Sequence, residues 1–235
     1  MKNNILKKYQ DISKLNIPMF DYHMHTNWTD GINTSYEMYE RASKLGLKSI
    51  LFSEHARKSS EDWFYKFANE IRLLPKFPCQ ALVGVEAKIV DFEGNIDSTD
   101  KIIGECDLVM ASVHRFPGET NMEKMCNEVD KNDAIKIELE LSLGVLENDD
   151  VDILGHPFGM SLRRFGVTPA IENFVEIIKK AATTGVAIEI NSHYHNNVWE
   201  IINLCKDFGA TISLGSNAHN VESVGDINNT LRKEL

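Results

Sequence analysis

Histidine and carboxylate side chains are the residues of this sequence whose types and spacing suggest chemistry. The chain has eight histidines in 235 residues. Imidazole is the commonest side-chain ligand of transition metals, so the histidines indicate metal binding. His23 and His25 are two residues apart and would project from one face of a strand. One such pair carries little weight, because chance gives about 0.3 His-x-His pairs in a chain of this composition.

Short apolar segments alternate with amphipathic helical patterns along the chain, which predicts repeated β-α units. Several segments, such as Leu108 to Ala111, are continuously apolar, as in strands of a parallel sheet that is covered on both faces. We predict seven strands, over residues 19–25, 49–55, 81–86, 108–114, 151–156, 186–191 and 211–217.

The segments between the strands have helical spacing. Thr34 and Glu37 form a predicted capping box, and Gly46 is expected to end the helix that follows. Residues 88–97 are expected to form a small hairpin, and residues 115–150 two helices or one broken helix. No linker or change of composition divides the sequence, which favours a single domain over residues 1–235.

All eight histidines fall at or just beyond the carboxyl ends of the predicted strands, and Glu86 ends the third strand. In α/β barrels, loops converge at this end and chemistry takes place there. The joint placement therefore predicts one functional site. The histidines are His23, His25, His55, His114, His156, His193, His195 and His219.

The strand-end motifs together resemble those of the PHP family, named for polymerase and histidinol phosphatase. The resemblance covers nearly the whole chain in order and is greatest to the histidinol-phosphatase branch. It implies an α/β fold, a distorted (β/α)7 TIM-like barrel, with a two- or three-metal centre that hydrolyses phosphoesters. The motifs are Asp21-Tyr22-His23-Met24-His25-Thr26 with Thr29-Asp30-Gly31, Ser53-Glu54-His55, Gly84-Val85-Glu86, Ser112-Val113-His114, Leu154-Gly155-His156-Pro157 and Ser216-Asn217-Ala218-His219.

The same resemblance implies three groups of ligands for divalent Zn, Mn or Fe. The first ion would be held by His23, His25, Glu86 and position 217. Glu86 would bridge to the second ion, which would be held by His114 and His156. The third ion would be held by Asp30, His55 and His219.

The sequence departs from the family pattern at Asn217, where the family usually has Asp. A neutral amide oxygen replaces a charged one, so we expect weaker binding at the first metal position. Glu54 replaces a more usual Asp and keeps its charge. Glu189 and Asn191, on the same face of the sixth strand, could supply a nearby acceptor.

Clustered divalent metals suit phosphoester hydrolysis because they lower the pKa of bound water and neutralise charge on phosphate oxygens. We expect the nucleophile to be a water beside the bridging Glu86. His219 or His55 could protonate the leaving oxygen, provided that it is not occupied as a ligand.

Basic side chains near the metals would bind the phosphate of the substrate. Lys88 and Arg115 are closest in sequence to predicted ligands, and Arg115 is our candidate for neutralising charge during the reaction. His193 is a further candidate contact. The predicted substrate-binding cations are Arg57, Lys88, Arg115, Arg163 and Arg164.

Charge and cysteine content narrow the class of protein. With 25 basic and 35 acidic residues the formal net charge is −10, which disfavours nucleic acid as a partner and leaves a small phosphorylated substrate possible. The four cysteines form no paired motif, and neither a signal peptide nor an apolar run long enough for a membrane is present. We therefore expect a cytoplasmic protein and no membrane partner; the oligomeric state stays open.

Several other functions compete with the phosphatase hypothesis, for which histidinol phosphate is one possible substrate. The first motif of an amidohydrolase sequence is also His-x-His. Its last motif, however, usually contains a catalytic Asp, and a carboxylated Lys often bridges its metal ions. A nuclease is disfavoured by the acidic charge and the single domain. A catalytically decayed metal- or ligand-binding protein would explain Asn217 and predicts less than one metal ion per chain.

Overall fold

Seven parallel strands form the centre of the fold in the computed structural model, which describes residues 5–6, 12–118 and 129–233. Each strand pairs with the next one in the chain, so the predicted seven-stranded α/β barrel is confirmed. Every residue of the first, second, fourth, sixth and seventh strands is buried, as expected for strands covered on both faces. The strands are β1 (Phe20–Met24), β2 (Ser49–Glu54), β3 (Gln80–Lys88), β4 (Leu108–Ser112), β5 (Ile153–Leu154), β6 (Ala187–Asn191) and β7 (Ile212–Gly215).

The described ranges hold eight α-helices, which follow or lie between the strands. Their buried apolar faces, such as Phe64, Phe67 and Ile71 of the second helix, pack on the outside of the barrel. The helices are α1 (Ser35–Lys44), α2 (Glu61–Arg72), α3 (Asp100–Glu105), α4 (Lys131–Val145), α5 (Gly159–Arg163), α6 (Ile171–Thr184), α7 (Val198–Phe208) and α8 (Asp226–Lys233).

Local predictions are confirmed at three places. Thr34 and Glu37 form the capping box of α1, and Gly46 follows that helix with a φ of +76°. Residues 88–97 form the expected hairpin, with an antiparallel bridge between Ile89 and Ile96. The segment 115–150 contains α4, and its residues 119–128 lie outside the described residues, so the choice between two helices and one broken helix stays a prediction.

The fifth strand is shorter than predicted, with two residues instead of the six over 151–156. His156 has a φ of +25° and Phe158 a φ of +65°, so the chain turns away from the sheet directly after Gly155. A Cβ on Gly155 would lie 2.0 Å from the Ser112 hydroxyl, which explains why the chain can pass β4 closely only with glycine here.

The barrel closes where the chain after β7 meets the end of β1. The His25 amide donates to the Ala218 carbonyl at 2.8 Å, and the Ala218 amide donates to the His23 carbonyl at 3.2 Å. These bonds hold the first and last predicted motifs side by side.

The buried carboxylate of Asp21 strengthens this closure. It accepts hydrogen bonds from the backbone amides of Ser216 and Gly225, each at 2.9 Å. Burial raises the pKa of Asp21 to about 6, although the hydrogen bonds act in the opposite direction. The loop that carries the last motif is thus fixed from the inside of the protein.

Within residues 5–6, 12–118 and 129–233, every helix is too short or too polar to cross a lipid bilayer.

Helix α5, which carries Arg163, is anchored by the buried carboxylate of Glu138 in α4. Glu138 Oε1 accepts from the Met160 amide at 3.1 Å, and Oε2 accepts from the Ser161 amide and hydroxyl, both at 2.7 Å. Burial raises the pKa of Glu138 to about 7. The sequence alone does not indicate this contact, because the partners are 22 and 23 residues apart.

Glu138→Gln is expected to lower the free energy of unfolding by about 1–3 kcal/mol. In either orientation of the glutamine side chain, its amide nitrogen would face a buried backbone N–H that now donates to a carboxylate oxygen. Urea denaturation measures the change. Glu140→Gln, on the exposed side of the same helix, is the matched control and should change stability little. Equal stability of the two variants would contradict the anchoring role.

Candidate metal centre

Five histidine rings surround the Glu86 carboxylate at the carboxyl end of the barrel. Glu86 is 2% exposed, so the contacts replace solvent almost completely. Its two oxygens divide the histidines into two sets: Oε1 faces the pair implied for the second ion, and Oε2 faces the pair implied for the first ion together with His55, which was implied for the third. Oε1 lies 3.0 Å from His114 Nε2 and 2.8 Å from His156 Nε2; Oε2 lies 3.3 Å from His23 Nε2, 3.4 Å from His25 Nε2 and 3.2 Å from His55 Nδ1.

Asp30 lies beside this cluster and contacts the remaining predicted ligands. Its Oδ2 is 3.5 Å from His55 Nε2 and 3.4 Å from His219 Nε2, and its Oδ1 is 4.0 Å from His25 Nδ1. Burial opposes ionisation, but hydrogen bonds from His219 and His55 outweigh it and hold the pKa of Asp30 well below its usual range. The predicted third group is therefore brought together as a charged carboxylate among imidazoles.

The donor atoms fit divalent metal ions. His25 Nδ1 is buried without a hydrogen-bond partner, and the Nε2 atoms of His23 and His25 face each other at 3.1 Å. Burial, with the charge of His55, holds the pKa of His25 well below its usual value, so its ring is neutral and can offer a lone pair. Three groups have all their ligand atoms within 4.8 Å of one another: His25, Asp30, His55 and His219; His23, Glu86 and His156; and His55, Glu86 and His114.

Glu86 itself is ionised in this cluster. Burial raises the pKa of a carboxyl group, but the nearby charges of His114, His23 and His55 act more strongly and hold the pKa of Glu86 well below its usual range. A buried carboxylate with both oxygens directed at imidazole nitrogens is suited to share metal ions between the two sets of histidines.

The Glu189 carboxylate on β6 holds two of the candidate ligands from behind. Oε1 accepts from His23 Nδ1 at 2.7 Å and from Asn191 Nδ2 at 2.8 Å, and Oε2 accepts from the His156 amide at 2.5 Å. The bond from Nδ1 to Glu189 leaves His23 Nε2 as the ring atom that faces the cluster, where it could bind a metal ion in place of a proton. Glu189 contacts the ring of His23, and Asn191 contacts Glu189. That either side chain serves as an extra acceptor for a metal stays a prediction.

Gly215 on β7 leaves the space that Glu189 occupies. A Cβ at this position would lie 1.9 Å from Glu189 Oε1 and 2.7 Å from His23 Cβ. Any larger residue would therefore displace the carboxylate that orients His23.

Glu54 organises the loop that carries Asp30. It accepts from the Thr26 amide at 2.8 Å, from the Thr26 hydroxyl at 2.6 Å, and from the Thr29 hydroxyl. Burial raises the pKa of Glu54 to about 7. Glu54 thus positions neighbouring residues. Among the described residues, it belongs to none of the three groups that could hold a metal ion.

Asn217 lies in the turn between β7 and His219, with a φ of +51°. Its carbonyl accepts from His219 Nδ1 at 2.9 Å, which leaves His219 Nε2 directed at Asp30. Its side-chain nitrogen lies 3.5 Å from the Tyr194 hydroxyl. Asn217 therefore orients His219 through its backbone, while its role as a metal ligand stays a prediction.

His193 and His195 have different positions although both follow β6. His195 is buried, its Nε2 donates to the Pro157 carbonyl at 3.0 Å, and its Nδ1 accepts from the Asn191 amide at 3.1 Å. Burial lowers the pKa of His195 to about 4. Both ring nitrogens are satisfied, so His195 is structural, whereas the His193 side chain is exposed.

Two adjoining cavities open onto the cluster and contain all the predicted substrate-binding residues. The larger, of about 470 Å³, is lined by the metal-group residues Asp30, His55, Glu86 and His114, and by the cations Arg57, Lys88, Arg115 and Arg164. The smaller, of about 320 Å³, is lined among others by His114, His156, Arg163, Arg164, His193 and Tyr194.

Tyr194 is a site residue that the sequence did not indicate. Its ring lies 4.3 Å from the ring of His156, and the Arg163 guanidinium lies 5.7 Å from its centre. Burial, with the charges of Glu86 and Glu189, raises the pKa of Tyr194 to about 12, so the hydroxyl stays protonated. Its place between His193 and His195 was the available signal.

Glu189→Gln is expected to weaken the binding of Zn or Mn by about 10–100-fold, measured by competition with a chelator. Glu189 accepts from three N–H donors, so the side-chain nitrogen of a glutamine must face at least one of them. Where that nitrogen faces His23 Nδ1, it favours the tautomer of His23 that is protonated on Nε2. Glu176→Gln, on the exposed face of α6, is the control. Unchanged metal affinity in Glu189→Gln would show that the carboxylate does not orient His23.

Known sequences are similar to this chain over most of its length. A family model described as the PHP domain matches residues 21–193. A protein named probable phosphatase from Clostridium novyi is 30% identical over 223 residues, covering 88% of this chain and 82% of its own length. The protein named DNA polymerase/3'-5' exonuclease PolX from Bacillus subtilis is 29% identical over 218 residues, covering 88% of this chain and 35% of its own.

Solved structures show the same fold. A chain from Listeria monocytogenes that carries the name histidinol phosphatase matches with a TM-score of 0.69 at 16% identity, over 88% of this chain and 97% of its own. Histidinol phosphate phosphatase from Lactococcus lactis, solved with zinc, L-histidinol and phosphate, matches with a TM-score of 0.61 at 19% identity, over 93% and 94%. By the family match and by its relative in Clostridium, this chain belongs to the PHP family.

Proposed function

We propose that this protein is a metal-dependent phosphatase that hydrolyses a small phosphorylated metabolite. The observation that carries the proposal is the Glu86 carboxylate, surrounded by five histidines, beside a cavity lined by four cations. Relatives named probable phosphatases, and the zinc and phosphate in the Lactococcus protein, support it.

The candidate ligands are the nine that the resemblance to the PHP family implied. Asp30, Glu86 and the six histidines around them are brought together in the structure, and Asn217 lies next to them. The nitrogen and carboxylate donors suit Zn, Mn or Fe, and the groups are enough for two or three ions. When bound, such ions lower the pKa of water and neutralise charge on a phosphate.

The protein's own residues would bind the phosphate and stabilise its charge. Arg164 lines both cavities and Arg115 the larger one, so both can hold phosphate oxygens while water attacks phosphorus and the ester P–O bond breaks. The alcohol leaves with a proton, and inorganic phosphate remains. His219 donates from Nδ1 to Asn217, which favours a ligand role for its Nε2 over that of general acid.

Other functions find less support. The acid at the centre of the cluster is Glu86, and Lys88 lines the cavity beside it, which does not match an amidohydrolase that bridges metals through a modified lysine. We propose a cytoplasmic location, since Cys79 and Cys205 are buried thiols without disulfide bonds; Cys126 lies outside the described residues.

Metal analysis and activity together test the proposed function. Protein purified without added metal should contain two to three equivalents of Zn, Mn or Fe and should hydrolyse p-nitrophenyl phosphate; a chelator should remove the activity and added Mn or Zn restore it. His114→Ala should lower kcat/KM by about 100-fold or more, with thermal unfolding as the folding control. Less than one metal per chain, with no activity, would support a decayed binding protein instead.

Asn217→Asp tests the departure from the family pattern. If a neutral side chain weakens one metal position, the variant should bind more metal and turn over faster, because a carboxylate is a stronger ligand. Asn229→Asp makes the same charge change on the exposed face of α8 and should alter neither quantity. An unchanged metal content would mean that position 217 is not a ligand in this protein.

A further inference from the structure

The dipeptide Arg-Phe occurs twice in the sequence, as Arg115-Phe116 in the loop after β4 and as Arg164-Phe165 directly after α5. Both arginines line the larger cavity. Both phenylalanines are buried, with 3% and 6% of their surface exposed. Each dipeptide therefore joins a cation of the candidate site to an apolar side chain inside the protein.

The two phenylalanine rings are stacked on each other. Their centroids lie 5.6 Å apart and their planes differ by 11°. Stacked aromatic pairs at this distance attract each other beyond the burial of their surface. The rings belong to separate βα units, so their contact joins the loop after β4 to the loop after α5.

Resting on the phosphatase function proposed above, we propose that Phe116 and Phe165 are positioning residues for phosphate binding. Their contact, here called the phenylalanine stack, fixes the place of Arg164 relative to Arg115 and His114. The stack acts through the backbone of the two loops, so this role does not depend on which groups the guanidinium ions contact.

The loop after α5 is tied to the rest of the protein on its other side. The amides of Arg164 and Phe165 donate to the Met160 carbonyl, at 2.9 Å and 3.3 Å. The Met160 amide in turn donates to the buried Glu138 carboxylate at 3.1 Å. The backbone at Arg164 is thus linked to α4, and the phenylalanine stack extends this support to the loop after β4.

The loop after β4 carries a candidate metal ligand close to the stack. His114 Nε2 lies 3.0 Å from Glu86 Oε1, and Phe116 follows two residues later. His114 and Arg164 both line the two cavities at the metal cluster. A change in the spacing of the two loops would therefore move Arg164 relative to the metal ligands.

This spacing matters because the hydrogen bonds of a guanidinium group to phosphate are short and directional, with N–O distances of about 2.7–2.9 Å. A displacement of about 1 Å can cost about 100-fold in rate. Arginine side chains are long and have many rotamers, so a fixed backbone origin limits the positions that their charged ends can reach. A rigid contact behind the two arginines is thus suited to keep them directed at one phosphate.

Phe116→Leu and Phe165→Leu test the stack, since each removes one ring and keeps an apolar side chain. In metal-loaded protein, each should lower kcat/KM for p-nitrophenyl phosphate and raise the inhibition constant of inorganic phosphate by about tenfold, with unchanged metal content. Either variant alone decides the question if the other does not fold.

Phe64→Leu is the matched control for lost packing. Phe64 is also buried, and its ring lies 5.4 Å from that of Phe67 on the outside of the barrel. The control should lower thermal stability by a similar amount and change neither constant. If Phe116→Leu and Phe165→Leu also lose stability alone, the rings serve only packing and the inference is wrong.

The double variant Phe116→Leu/Phe165→Leu separates one shared contact from two independent effects. Once one ring is removed, the other has already lost its partner, so the double variant should lose about tenfold, as each single variant does. A loss of about 100-fold, the product of the two single effects, would mean that each ring acts alone and would contradict the stack.

The inference and the proposed function fail in different ways. Hydrolysis of p-nitrophenyl phosphate with the same constants in the unaltered protein and in the stack variants leaves the phosphatase and rejects the role of the stack. If no phosphoester is hydrolysed, the proposed function is wrong, and calorimetry of inorganic phosphate with the metal-loaded protein decides the inference. Binding about tenfold weaker in Phe116→Leu than in Phe64→Leu would support the stack; equal binding, or none by the unaltered protein, would reject it.

Discussion

The buried Glu86 carboxylate, held among five imidazole rings, is the interaction on which the rest of the structure depends. Leaving water is costly for a charged group, so a carboxylate buried this deeply needs hydrogen-bond donors or opposite charge at both oxygens. Protonated histidines can supply this charge only in part, because burial and mutual repulsion keep His25 neutral. Divalent ions between the carboxylate and the rings would supply the remaining positive charge.

Four further buried carboxylates hold the parts of the barrel that present this cluster. Asp21 ties the last loop to β1, Glu54 holds the loop of Asp30, Glu138 anchors α5, and Glu189 orients the first histidine. Each accepts from backbone amides or ring nitrogens, so each replaces the hydration that it lost with fixed donors. Placement of the ligands is therefore a property of the whole barrel, and catalytic groups on different strands keep their mutual distances.

Much of this arrangement follows from the sequence. Continuous apolar runs predict parallel strands, and parallel strands bring their carboxyl ends together, so His23, His114 and the other strand-end residues had to meet. The contacts of Tyr194 and Glu138 could not be predicted in this way, because they join residues on different units whose approach is set by packing. The short β5 also escaped prediction. The strand was expected over residues 151–156, but the backbone turns at His156, whose amide donates a hydrogen bond to the Glu189 carboxylate.

The central claim is that both oxygens of Glu86 face bound metal ions. Anomalous diffraction from crystals of the metal-loaded protein, recorded on both sides of the absorption edge of the metal, tests it most directly. The account predicts at least two anomalous peaks, one next to Glu86 Oε1 with His114 or His156 and one next to Oε2 with His23, His25 or His55. A single peak remote from Glu86, or none at full metal saturation, would contradict it.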